Sequence, residues 1–251
     1  MRPTAHIFHF LFSFTGWLFS AFFVIINYEI KSHMKKVLII LGPPGSGKGT
    51  QAETLKKKLG LEYISTGVLI RELLSKNKCD KLSQAVRKRY NAGQPQPDGL
   101  ILKMVENKMQ RLKLRKGIIF DAFPLSLGQA EALEKILQKF NLPAALAVYI
   151  DLSLKTAIKR LGQRKSCAKC NAVFRPGVKG YSVGICPACR IPLIVREDDQ
   201  PGVIKRRFVE YKKRLQAVSS YYRKKRRIVF IDGEKTADKI FDKILNQACL
   251  R

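Results

Sequence analysis

The chain has 251 residues, 46% of them hydrophobic and 27% charged, which excludes a disordered or collagen-like polypeptide and allows one large domain carrying an insertion. Its 48 lysines and arginines outnumber 19 acidic residues, for a formal charge of +29, so its surface draws polyanions: nucleic acid, anionic membranes or phosphorylated small molecules. Of six cysteines, four fall in two C-x-x-C pairs, which argues against a secreted disulfide scaffold and for a metal in a reducing compartment.

From Pro3 to Tyr28 there is no Asp, Glu, Lys or Arg, and such a stretch is long enough for one bilayer-spanning helix. Lys31, Lys35 and Lys36 outweigh Arg2, an asymmetry that leaves the remainder in the cytosol. The competing expectation is that residues 1–33 lie upstream of the true start. Met34 is followed at once by KKVLIILGPPGSGKGT, and a domain beginning there lacks nothing. Both expectations put the rest of the chain in the cytoplasm, either free or anchored by an N-terminal helix.

Short apolar runs then alternate with longer helical patterns. Strands are predicted at Val37–Leu41, Leu61–Ile64, Ile118–Asp121, Leu146–Asp151 and Ile228–Asp232. Helices are predicted at Thr50–Leu59, Leu69–Asn91, Asp98–Lys113, Ser126–Phe140, Leu152–Leu161, Gly202–Lys225 and Thr236–Ala248. Near-continuous apolar strands between helices imply a three-layer α/β fold with a five-stranded parallel sheet covered on both faces. Residues 65–96, ending in AGQPQPDG, and 165–199, holding the paired cysteines, read as insertions on a core of 34–64, 97–164 and 200–251.

The first strand runs into Gly42-Pro43-Pro44-Gly45-Ser46-Gly47-Lys48-Gly49-Thr50, and a helix follows. Glycines let successive N–H groups curl around one anion, the helix N-terminus adds its dipole, and Lys48 reaches the β- and γ-phosphates. This is the context a phosphate loop requires.

Gly49 follows Lys48, and the hydroxyl comes one residue later, at Thr50. This form resembles the nucleoside monophosphate kinases, the adenylate kinases above all. Residues 63–67 (YISTG), with Arg71, resemble the family segment that receives the monophosphate; the resemblance implies that Thr66 and Arg71 contact AMP and that Gln94, Pro95 and Gln96 line the same pocket. The run IIFDAFP at 118–124, with Gln129, is similar to the family's D-G-F-P-R-x-x-x-Q motif. It implies Gln129 on the adenine edge, Ala122 beside the nucleotide, and Asp121 in the shell of a Mg²⁺ that accompanies ATP. Arg160 and Arg164 resemble the pair entering the transfer site on the ATP side. Arg196 and Arg207 resemble the remaining clamp, with Asp198 and Asp199 orienting arginines.

Cys167/Cys170 and Cys186/Cys189 are fifteen residues apart, a spacing suited to a four-thiolate zinc site. Four protein ligands leave no open position, so the zinc is structural. Its place in the second insertion resembles the lid of zinc-bearing adenylate kinases. Cys79 and Cys249 read as ordinary thiols.

Three positions depart from the family pattern: Leu125 replaces the motif arginine, Ala122 its glycine, and Val68 the acid of S-T-G-D. The expectation is an adenylate kinase, ATP + AMP = 2 ADP, of reduced activity; the alternatives are a weakened nucleotide-binding paralogue and a kinase-derived nucleic-acid-binding protein. The run YYRKKRR at 221–227 reads either as a nucleic-acid surface with interleaved aromatics or as a solvated helix face. Nothing in the sequence points to an oligomer, so a monomer is expected.

Overall fold

The computed structural model describes residues 35–76, 80–178 and 180–250. The apolar segment 1–33, Met34, Cys79 and the Cys249 side chain lie outside the described residues. The chain runs β1 (Lys36–Leu41), α1 (Lys48–Leu59), β2 (Glu62–Ser65), α2 (Thr66–Lys76), α3 (Lys81–Asn91) and α4 (Asp98–Met109). It continues through β3 (Gly117–Asp121), α5 (Leu127–Lys139), β4 (Leu146–Asp151) and α6 (Leu154–Gly162). Three short strands follow, β5 (Lys165–Cys167), β6 (Val173–Phe174) and β7 (Leu193–Ile194), then α7 (Pro201–Lys224), β8 (Ile228–Asp232) and α8 (Ala237–Leu250).

The main sheet has the order β2-β3-β1-β4-β8, with every neighbouring pair parallel. The expected five-stranded α/β fold is therefore present. Its central strands β1, β3 and β4 are almost wholly apolar because both faces are covered. Val37, Ile39 and Leu41 enter one layer with Val105, Leu133 and Leu215 of α4, α5 and α7. Leu38 and Ile40 enter the other with Leu55 of α1 and Ile244 of α8. Each such side chain removed from water contributes ~1.5–3 kcal/mol.

The single helix expected over Leu69–Asn91 is two. α2 begins earlier, directly from β2, and α3 restarts under Asp80, whose carboxylate accepts from the Ser83 N–H at 2.7 Å. Between Leu74 and Leu82 the sequence is polar except for Cys79, and the capping pair Asp80 and Ser83 marks where the helix restarts. Residues 165–194 hold an antiparallel sheet of order β6-β5-β7.

Parallel strands put their carboxyl ends on one edge, where such sheets bind ligands. There the phosphate loop follows β1, Thr66 follows β2, and Asp121 closes β3. Among the described residues no helix is long and apolar enough to cross a membrane.

Candidate active site

The loop after β1 begins at Gly42, whose φ of 145° and close approach both demand glycine: a Cβ there would stand 2.3 Å from the Ile150 carbonyl oxygen. Gly47 caps α1 without a side chain, so the first helical N–H groups stay available to an anion. Lys48 folds back over the loop, donating to the Pro43 carbonyl at 2.9 Å. Burial lowers its pKa to about 8, Asp121 opposes, and Arg207 and Arg164 push the same way as burial. Ser46 Oγ is buried without a partner, while Thr50 is exposed.

Asp121 is 8% exposed. The Tyr63 hydroxyl donates to its Oδ2 at 2.9 Å, and its Oδ1 is buried with no hydrogen bond. Burial, and then the Asp121 charge, push the Tyr63 phenol above its usual range, so it remains a donor. A buried carboxylate oxygen without a hydrogen bond beside a phosphate loop suits a hard cation held by oxygen ligands.

α6, the turn at Glu197–Asp199 and α7 bring the arginines together. Asp199 accepts from Arg164 Nε at 2.7 Å and Nη2 at 2.6 Å, and Arg207 Nη1 reaches it at 3.3 Å. Arg207 Nη1 also lies 2.8 Å from Asp198 Oδ2, while Tyr90 donates to Asp198 Oδ1 at 3.1 Å. Burial alone would raise the Asp198 pKa, yet Arg207, then Arg164, Arg196 and Arg71, hold it below the usual carboxylate range. Arg196 donates to Ser166 Oγ at 3.2 Å. Burial, followed by repulsion from Arg164 and Arg71, lowers its pKa to about 9. Buried pairs of this kind fix side-chain positions more than they add stability. Arg160 Nη1 lies 3.5 Å from the Gly45 carbonyl.

Across the cleft, Thr66 donates to the Ala122 carbonyl at 3.0 Å, tying the ends of β2 and β3. Ala122 itself has φ 55°. Arg71 Nε donates to Asn171 Oδ1 at 2.7 Å, joining α2 to the cysteine-bearing segment. Gln96 lines the cleft and gives an amide hydrogen to the Val86 carbonyl at 3.0 Å, while Pro95 accepts from Arg89 Nε at 2.9 Å. Gln129 accepts from the Leu125 N–H at 2.7 Å and gives one amide hydrogen to Asp98 Oδ1 at 2.8 Å, which leaves its second amide hydrogen for a ligand. Leu125 is half-buried against the first apolar layer.

These elements enclose one cleft of about 1390 Å³. Of the residues singled out from sequence, the loop from Pro44 onward, both arginine groups, Thr66, Gln94 and Gln129 line it. Gly42, Pro43 and Ser46 are buried behind it. Sequence reasoning passed over Tyr63, Tyr90, Asp98 and Asn171. Asp98 carried a signal, an acid opening a helix after Pro97; the others act through contacts distant in sequence.

The four cysteine sulfurs lie within 4.8 Å of one another, Cys170 and Cys186 at 3.8 Å. Thiolates at ~2.3 Å from a tetrahedral zinc stand about 3.8 Å apart, so the donors fit a metal. The two pairs are built alike. Asn171 and Arg190, each just after a pair, have φ of 59° and 58° and donate their N–H to the carbonyls of Cys167 and Cys186. Cys167 and Cys186 in turn donate to the carbonyls of Ala172 and Ile191.

The basic run at the end of α7 offers no free aromatic platform: Tyr222 is fully buried, and the Lys225 ammonium sits 5.0 Å over the Tyr221 ring.

Comparison with known proteins bears on this cleft. A family model described as adenylate kinase matches residues 40–227. The chain is 33% identical to the adenylate kinase of Thermosipho melanesiensis over 214 residues, which span 83% of this chain and 97% of that one. It is 35% identical over 206 residues to the adenylate kinase of Methanocella arvoryzae, covering 80% and 93%. With that of Archaeoglobus fulgidus it shares 32% over 211 residues, covering 82% and 95%.

Proposed function

Since this chain belongs to the adenylate kinase family and is a nucleoside monophosphate kinase, we propose that its cleft transfers the ATP γ-phosphoryl group to AMP, reversibly, giving two ADP. In this reading ATP lies on the loop from Gly42 to Thr50 with its phosphates on Lys48, Arg160 and Arg164. AMP lies against Thr66, Arg71, Gln94–Gln96, Ala122 and Gln129. Arg196 and Arg207 serve the phosphates where the nucleotides meet. The observation that carries it is the convergence of Lys48 and of Arg71, Arg160, Arg164, Arg196 and Arg207 on one cleft, at whose edge Asp198 and Asp199 orient Arg207 and Arg164.

Phosphoryl transfer asks the protein to hold donor and acceptor in line and to neutralise charge on the transferring oxygens. The acceptor phosphate is already ionised, so no general base is needed. Burial first, and neighbouring guanidiniums second, disfavour the charged forms of Arg196 and Lys48; a bound phosphate offsets both, which favours binding. Asp121 and Thr50 would hold Mg²⁺ with ATP, where the ion would neutralise phosphate charge. Cys167, Cys170, Cys186 and Cys189 would hold a structural Zn²⁺ that keeps residues 165–199 a single rigid lid, so that closing excludes water. The thiolate site supports a cytoplasmic location, and the enzyme is read as a monomer.

Leu125 leaves the acceptor phosphate one guanidinium short, so turnover is expected to be low while nucleotide binding is kept. A coupled assay of ADP formation tests the proposal. Turnover above a Lys48→Met control is the expected result; equality with that control, with ATP affinity retained, would make the protein a nucleotide binder.

A further inference from the structure

A second groove, about 810 Å³, opens between the end of α3 and the first turns of α7. Gly93, Gln94 and Pro95 line both this groove and the main cleft, so the wall between the two is one thickness of backbone. Gly93 packs directly against α7. Its φ is 68°, and a Cβ there would fall 2.5 Å from Arg207 Cγ and 2.9 Å from Val203 Cγ1.

The groove is cationic. Arg89, Lys205, Arg206 and Arg214 line it; Glu210 is the one carboxylate among the described lining residues, and it is held by Arg214 Nε at 2.9 Å. Lys205 and Arg206 are exposed, and Val209, 59% exposed, is an apolar residue lining the same groove. Gly202, in the first turn of α7, also lines the groove, and no side chain caps that helix, so the positive end of its dipole adds to the field. A concave surface lined by one sign of charge concentrates counter-ions far more than the same charges spread over a convex face.

We propose that this groove is a second anion site, which takes a small molecule bearing a chain of phosphates and acts through the shared wall on the acceptor lobe. Guanidiniums and ammoniums spaced along α7 match several linked phosphates better than one. Arg89 already grips the Pro95 carbonyl at 2.9 Å, so phosphates drawn to Arg89 bear on the loop that lines the main cleft. Any such coupling is reciprocal: whatever factor the groove's ligand applies to acceptor affinity, the acceptor applies to the groove. The coupling rests on the acceptor reading of that lobe; the binding does not.

The probe is inorganic tripolyphosphate, titrated calorimetrically into the full chain whose main cleft is saturated with a bisubstrate analogue of two adenosines joined by five phosphates. The expected result is one equivalent bound, at least tenfold tighter than orthophosphate, with affinity falling at least tenfold in Lys205→Gln/Arg206→Gln. Several equivalents unmoved by the double substitution, or no binding, would overturn it in favour of diffuse attraction to a basic surface. Tighter binding of a single-stranded oligonucleotide, lost in the same variant, would overturn it in favour of nucleic acid. Should the analogue itself fail to bind, the kinase reading fails separately, and the groove is still read as one equivalent lost between native and double-substituted protein.

Discussion

The Tyr63 hydroxyl gives its hydrogen to Asp121 Oδ2 at 2.9 Å, so the other carboxylate oxygen, buried and without a hydrogen bond, is left beside the phosphate loop. One phenol thus sets the orientation of the only acid at the end of β3. Tyr63→Phe removes a hydrogen bond to a charged group, worth ~1.5–3 kcal/mol. The expected outcome is a several-fold rise in the Mg²⁺ concentration needed for half-maximal rate, with ATP affinity measured without metal unchanged. An unaltered metal requirement would show that Asp121 is oriented by something else.

Lys48 carries a pH signature. With its pKa lowered to about 8, kcat/KM for ATP should fall as pH rises through that value, since this parameter reports the free enzyme. The stability trend has the opposite sign. Between pH 8 and ~10.4, the usual lysine value, the unfolded chain holds a proton that the folded chain has released, so this group makes stability rise with pH across the window. Lys48→Met, which removes the buried charge, should therefore be more heat-stable than the native protein at pH 7, with the advantage narrowing by pH 10.

Ala122 occupies a left-handed conformation at φ 55°, which costs a residue with a Cβ ~1–2 kcal/mol. Ala122→Gly relieves that strain and restores ~0.5–1 kcal/mol of chain entropy to the unfolded state. A net gain of about 0.5–1 kcal/mol is expected, visible as a melting temperature ~2 °C higher. A lower melting temperature would mean that the methyl is held by contacts worth more than the strain.

Leu125→Arg returns a guanidinium to the acceptor lobe. Arginines at such positions are worth up to ~10³–10⁵ in turnover where they meet the transferring group, and at least a tenfold gain is expected here. Loss of apolar contact with the first core layer should lower stability by ~1 kcal/mol. A stable variant with unchanged turnover would mean that another cation already serves that phosphate.

For the thiolate site, metal analysis of protein purified without chelator should find one zinc per chain. Cys170→Ser should lower that stoichiometry and the melting temperature, because metal binding adds directly to folding free energy. Native protein free of metal yet equally stable would remove zinc from the account.

The sheet was legible because each of its strands is an apolar run and each crossover carries a helical period. The phosphate loop and paired cysteines were legible because their chemistry fixes local spacing. Contacts between distant segments were not: Tyr63 with Asp121, Tyr90 with Asp198, and Gln129 with Asp98 leave no mark on local spacing. The break between α2 and α3 was legible in the polar run from Ser75 to Lys81 and the Asp80–Ser83 cap, but helical patterns on both sides merged into one expected helix. The small sheet at residues 165–194 was hidden because strands of two or three residues are too short to show alternation.

Asn171 follows directly on the first cysteine pair and accepts from Arg71 Nε at 2.7 Å. The same guanidinium cannot give that hydrogen to an amide and to a phosphate together. Arg71 thus spends its Nε hydrogen on Asn171 and keeps its Nη hydrogens for other acceptors. A phosphate that took the Nε hydrogen as well would release Asn171, and with it the bond from α2 to the cysteine-bearing segment, so what Arg71 grips bears on how that segment is held.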